Sequence, residues 1–290
     1  MKFFPFLVCV LTLAPLPLTA GGKQDAAGTR GDAAGALAEM ERALADREED
    51  FSPEDEYYLG RSVSAVILGR YRLYAGNSAL SGYLNKICGA IVINSPRPGI
   101  FNGYHVMILD SPEINAFATT GGHIFITLGF VRTAGGEDML AAVIAHEIAH
   151  IQLRHSMEMI KDSGLYRDMS DVVKRARGLA SREERRQIFD RSVSEMVNTI
   201  FTNGYSQAQE FDADAYAMKL LAAAGYEPGS LIDVLEALNQ NQPVFSPGIN
   251  TTHPPPPLRI ANARKNAGGY NIQDTRAFRL RRFNSTGKNP

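Results

Sequence analysis

Within the run AVIAHEIAHIQLRH, residues 142–155, an apolar stretch carries His146, Glu147 and His150. On a helix, positions four apart differ by about 40° in direction, so the two imidazoles project side by side, one turn apart. Such a pair can grip one tetrahedral ion at about 2.0–2.1 Å for Zn–N. Glu147, rotated about 100° from His146, can reach a water on the open side of that ion without being a ligand. The bland alternative is a pair of satisfied core histidines. Burying two imidazoles and a carboxylate without partners costs several kcal/mol, which an ion or a dense hydrogen-bond network has to offset. His155 is nine residues beyond His146, which on one continuous helix puts it on roughly the opposite face and excludes it as a third ligand. The extended metzincin pattern is absent, because Leu153 and Ser156 stand where it needs Gly and His.

A third ligand must come from elsewhere. In Tyr205 to Asp214, Glu210 and Asp214 again share one helix face. Glu210 can complete a two-His, one-Glu catalytic zinc site that leaves a fourth position for water. Asp214, one turn on, can accept the other N–H of a ligating histidine and fix its tautomer. Asp212 points about 160° away and should be solvated. Read by itself, the stretch is equally an acidic helix face.

The elements that must hold these groups follow from pattern. Asp138 to about Lys161 is expected as one helix, apolar on nearly all sides in its first half and hence central; it is too short and too charged to cross a bilayer. Tyr104–Leu109 and His123–Leu128 read as strands of a small antiparallel sheet, joined through Asp110-Ser111-Pro112 and Thr119-Thr120-Gly121-Gly122. Ser52-Pro53 opens a helix, Ser206–Ala224 forms another closed by Gly225, and Ser230–Asn239 a further one. Residues 161–200 read as amphipathic helix whose charge run, 181–186, is a solvated face, and their position between the two ligand segments suggests a lid. The fold class is α+β, mostly helical.

Composition bounds the rest. With 44% hydrophobic residues in 290, the chain can bury a sizeable core, and a net charge of −1 without a basic stripe gives no footprint for nucleic acid. Residues 1–20 have the parts of a cleavable secretory signal, which places the protein in the periplasm or outside the cell; no transmembrane span is expected after its removal. Cys9 lies inside that apolar region, so a lipid anchor is not expected, and Cys88 is left without a disulfide partner. A flexible leader over 21–36, a catalytic domain over 37–270 and a basic, solvated tail over 271–290 complete the division; the tail's arginines could make peripheral contact with an anionic membrane. The oligomeric state is left open.

Taken together, Ser111-Pro112-Glu113-Ile114-Asn115-Ala116-Phe117-Ala118 with Gly121-Gly122, the helix motif at 146–150, Glu210 to Asp214, and Thr252-His253-Pro254 near Arg259-Ile260 resemble the zinc metallopeptidases of family 48, over about residues 50–262. The resemblance implies a zincin-like, gluzincin domain with one Zn2+ per chain, held by His146, His150 and Glu210, with Glu147 as catalytic base. It implies that Asn115, Ala116, Phe117 and Ala118 lie on an edge strand to which a peptide substrate adds. His253, in a stiff proline-rich segment, is expected to point into the zinc site, as oxyanion donor or resting-state ligand. Thr120 departs from the proline usual before the two glycines. No later hydrophobic span and no C-terminal repeat region follow, so a minimal soluble module is expected. The implied activity is zinc-dependent endoproteolysis of unfolded or misassembled cell-envelope proteins; the alternative is a zinc-binding holdase or assembly factor whose protease site is silent.

Overall fold

In the computed structural model, the residues described are 53–162, 193, 194, 197, 204–240, 256–270, 272 and 274–286. Helix α1 spans Pro53–Arg70 and α2 Ser78–Ile93. Strands β1 (His105–Leu109), β2 (Ala116–Thr119) and β3 (His123–Thr127) follow, then α3 (Leu128–Thr133) and α4 (Glu137–Gln152). The remaining helices are α5 (His155–Asp162), α6 (Gln207–Ala223), α7 (Ser230–Gln240), α8 (Pro256–Asn266) and α9 (Arg276–Ser285). The mostly helical α+β class is as expected. No described helix is long and apolar enough to cross a membrane.

Helix α4 lies in the middle because it has no polar face to give to solvent: Leu140, Ile144 and Ile148 are all buried, as are the alanines between them. Helices α2, α6 and α7 and the sheet surround it. A single core cluster joins α2, the sheet, α4, α6 and α7; a second, around Phe117 and Phe125, also takes in Val193 and Val197.

The sheet differs from its expected form. Its order is β1-β3-β2, with β1 parallel to β3 (His105 opposite His123) and β2 antiparallel to β3 (Ala116 opposite Ile126). The chain reverses twice between the two expected strands, once after Leu109 and once at a 3-10 turn over Thr120–Gly122, and two reversals leave β1 and β3 pointing the same way. The third strand, formed by the Ala116–Thr119 segment, occupies one edge. The turn is pressed against α1. A methyl group on Gly60 would stand 1.7 Å from the carbonyl oxygen of Thr120, and Gly121, at φ +74°, touches the backbone of Tyr57. Thr120 donates from Oγ1 to Glu56 on α1 at 3.1 Å, so the departure from proline there acquires a hydrogen bond of its own.

The expected single helix from Asp138 to Lys161 is two. Helix α4 ends at Gln152, Arg154 adopts a left-handed backbone (φ 59°), and α5 starts at His155. The Arg154 guanidinium is 2.5 Å from Glu56, which ties the break to α1 and to the turn.

Helix α6 begins with Ser206 and Gln209 in a reciprocal capping box, and Gly225 follows it at φ +77°. The C-terminal segment is not a solvated tail over its described length. Residues 276–285 form α9, whose Arg279 and Arg282 turn inward to the start of α4, Arg279 to Asp138 (3.0 Å) and Arg282 to Glu137 (Nε 3.0 Å). Glu137 is 1% exposed and accepts in addition from Tyr83 (2.7 Å) and Tyr226 (3.2 Å). Aligned amides at a helix N-terminus favour that buried carboxylate, and two phenols and a guanidinium complete its shell.

Candidate metal centre

One turn of α4 presents His146 and His150, and the first turn of α6 presents Glu210, all three buried. The two Nε2 atoms are 3.0 Å apart; Glu210 places one carboxylate oxygen 3.5 Å from His146 Nε2 and the other 3.4 Å from His150 Nε2. Ligands of a tetrahedral ion with bonds of about 2.0–2.1 Å are about 3.3–3.4 Å from one another. The two imidazoles and the carboxylate therefore approach one another at separations close to those of ligands around one zinc ion. Charge points the same way. Glu147, Glu210 and Asp214 are three carboxylates at 0–1% exposure, with Arg259 as the cation beside them, and a divalent ion brings the set to neutrality.

Arg259 comes from α8 and is 4% exposed. It donates to both oxygens of Asp214 (Nε 2.9 Å, Nη2 2.6 Å), and its Nη1 is 2.8 Å from Glu210. Burial works against the Asp214 charge, but the Arg259 guanidinium and its two hydrogen bonds outweigh it and hold the carboxyl below the usual range. Burial also disfavours the guanidinium charge, and Glu210 with Asp214 more than restores it. Asp214 Oδ1 lies 3.1 Å from His146 Nδ1, positioned to accept its N–H and leave Nε2 for an ion. Asp212, on the other side of α6, is exposed.

His155 is not on the far side. The break at Arg154 swings it back, so its Nδ1 is 3.0 Å from His150 Nδ1. The Tyr205 ring stacks on His150 at 4.0 Å between centroids, and its hydroxyl pairs with Ser156 Oγ at 2.7 Å. Tyr205 thus covers one face of the His150 ring, and His155 meets its Nδ1 edge. The left-handed Arg154 left no signal in the sequence, whereas Tyr205, just ahead of a capping serine, stood within the segment that was singled out.

The edge strand reaches the centre at one end. Asn115 and Ala116 line a cleft together with His146, Glu147 and Arg259. The side chains of Ala116 and Ala118 face one core cluster and Phe117 the other, so only their backbone is placed to meet a peptide. His253 and the expected lid lie outside the described residues, apart from residues 161–162 of α5 and the buried Val193 and Val197 and their neighbour Ser194.

Two histidines one turn apart, a carboxylate beside them and a glutamate from a second helix define a metallopeptidase-type centre. Residues 81–267 match Peptidase family M48, and the chain belongs to that family and carries a metalloprotease domain. It is 26% identical over 218 residues to the beta-barrel assembly-enhancing protease of Escherichia coli (strain K12), covering 72% of this chain and 44% of that protein. The mitochondrial metalloendopeptidase OMA1 of Saccharomyces cerevisiae is 26% identical over 185 residues (60% and 49%), and that of Schizosaccharomyces pombe 28% over 180 residues (61% and 50%). The chain spans about half, or less, of the length of these relatives.

Proposed function

We propose that the chain is a zinc endopeptidase in which His146, His150 and Glu210 hold the ion and Glu147 is the general base. The observation that carries this reading is the convergence of His146 Nε2, His150 Nε2 and the Glu210 carboxylate at 3.0–3.5 Å, with Glu147 buried on the same turn of α4. A bound zinc supplies Lewis acidity, making water acidic enough to lose a proton near neutral pH and polarising a carbonyl. Glu147 takes the proton of the attacking water and returns it to the leaving amine. Asp214 orients His146, and Arg259 keeps Asp214 ionised and holds Glu210 in place. The substrate lies along β2 and bonds to its backbone as an added strand.

The substrates are unfolded or misassembled envelope proteins, a reading supported by the signal-like residues 1–20 and by the similarity to the beta-barrel assembly-enhancing protease. The test pairs metal content with casein cleavage for the chain from Gly21 and for its Glu147→Gln variant. One zinc per chain in both, with cleavage only by the former, is expected. Zinc in both and cleavage in neither favours a holdase, and absence of zinc sinks the ligand assignment.

A further inference from the structure

Three elements meet at one carboxylate. Glu56, on the first turn of α1, is buried. Its Oε2 accepts from Thr120 Oγ1 at 3.1 Å, and its Oε1 lies 2.5 Å from Arg154 Nη2. Thr120 opens the turn that follows the edge strand β2, whereas Arg154 stands at the break that follows α4, the helix of the metal centre. Glu56 thus touches the end of the substrate strand and the end of the ligand helix at once.

Arg154 is held in a conformation that its residue type disfavours. Its φ of 59° lies in the left-handed region, which glycine enters freely and arginine does not. Its carbonyl accepts from the amides of Met157 (2.9 Å) and Glu158 (3.0 Å), so it is the residue from which α5 starts. For the backbone alone, glycine would serve this place better. What arginine adds is the guanidinium, and the guanidinium reaches Glu56. Strained residues persist where their surroundings hold them, and here α1 holds this one through its side chain.

Both contacts lead onward to the site. His155 follows Arg154 directly and meets Nδ1 of the ligand His150 at 3.0 Å, while Ser156 pairs with Tyr205, the ring stacked on His150. On the other side, Thr119 at the end of β2 donates to the Gly60 carbonyl of α1 at 3.2 Å, so the strand and the turn are seated together on α1. A shift of α1 therefore moves the strand end and the His155 support together.

Resting on the zinc endopeptidase reading, we propose that Glu56 is a positioning residue for the reaction: through Arg154 it sets His155 behind the ligand His150, and through Thr120 it sets the end of the strand along which the peptide lies. It touches neither substrate nor ion. A scissile carbonyl has to be presented to the attacking water within a fraction of an ångström, and elements far apart in sequence keep such a register when a rigid contact spans them. The competing account is that the carboxylate only fastens α1 to the fold.

The two accounts separate in three readouts on the chain from Gly21: zinc affinity by chelator competition, the urea midpoint of the metal-free chain, and kcat/KM on a fluorogenic casein peptide. Glu56→Gln keeps the shape and an acceptor for Thr120 but removes the charge that holds Arg154; zinc affinity should fall about tenfold. Arg154→Gly keeps the left-handed break and removes the guanidinium, and should fall by the same factor with the helical circular dichroism unchanged. The double variant should lose no more than either single one, because the two groups act as a pair. Thr120→Val should lower kcat/KM about threefold and leave zinc affinity as it was.

Parental zinc affinity in Glu56→Gln and Arg154→Gly, with a lowered urea midpoint, overturns the link to the metal and leaves a mere fastening. Losses that add in the double variant overturn the pairing, and an unchanged kcat/KM in Thr120→Val overturns the link to the strand. The protease reading fails separately. A parent chain that binds zinc and cleaves nothing rejects that reading and the link to the strand with it, while the zinc affinities still decide the link to the metal; a parent chain without zinc rejects both.

Discussion

His150 and His155 face each other Nδ1 to Nδ1 at 3.0 Å, across a helix break made by the left-handed Arg154. Two imidazole nitrogens at that distance share one proton, so one donates and the other accepts. Burial lowers the His155 pKa, which favours the neutral ring with a free acceptor nitrogen. With His150 as the donor from Nδ1, its Nε2 is left on the side facing His146 and Glu210, where an ion would be held, and His155 would play the part that carboxylates or carbonyls play for many ligating histidines.

Replacing His155 by Phe keeps a ring in that place and removes the acceptor. Zinc affinity, measured by competition with a chelator, should fall about tenfold to a hundredfold. An unchanged affinity would show that His150 is oriented by the stacked Tyr205 alone.

Arg259 is the buried cation between Asp214 and Glu210, and its removal strands charge. Arg259→Met should lower the stability of the metal-free chain to urea by about 3–5 kcal/mol. Arg259→Lys should recover only part of it, because an ammonium cannot reproduce the fork that holds both Asp214 oxygens. A full recovery would mean that charge, not geometry, is what Asp214 needs.

His123 predicts a limb of the acid profile. It is 9% exposed and stacks on Tyr57 at 5.3 Å, and burial lowers its pKa to about 4 from the ordinary 6.5. Between those two values the unfolded chain binds a proton that the folded chain refuses, so stability falls as pH drops from about 6.5 to about 4. The loss from this one group amounts to about 3 kcal/mol. His123→Phe keeps the stacking and should flatten that part of the curve; an identical slope in the variant would remove His123 from the account.

Two glycines should respond in opposite directions. Gly60→Ala puts a methyl into the Thr120 carbonyl and should destabilise by about 1–3 kcal/mol, with a lowered denaturation midpoint. Gly82→Ala lies on the exposed side of α2 with nothing within 4 Å, and should stabilise by about 0.5–1 kcal/mol. If Gly60→Ala were silent, the pressing of the turn onto α1 would not hold in solution.

The parts of the site that a reader of the sequence can find are those set by helical periodicity. His146 with His150, and Glu210 with Asp214, are each one turn apart on one element, so spacing alone brings each pair together. What periodicity does not reach is the joining of elements. Arg259 belonged to a recognisable motif, yet its place against Asp214, 45 residues earlier, depends on how α8 packs on α6. His155 was placed on the wrong face because a left-handed conformation at an arginine has no compositional sign, unlike one at glycine. The β1–β3 pairing came out parallel because β2, too short and too apolar to show alternation, lay between them. The basic character of residues 276–282 was plain, but that two of these arginines are spent internally follows from acids far back in the chain.

The pairing of Glu137 with Arg282 also sets an order of assembly. Glu137 opens the helix that carries the hydrolytic pair, and its guanidinium partner is 145 residues further on. Contacts at that separation close late in folding. Until α9 docks, the start of α4 holds a carboxylate that only phenols attend. The helix that carries His146, Glu147 and His150 is thus clamped at its start only once α9 has docked.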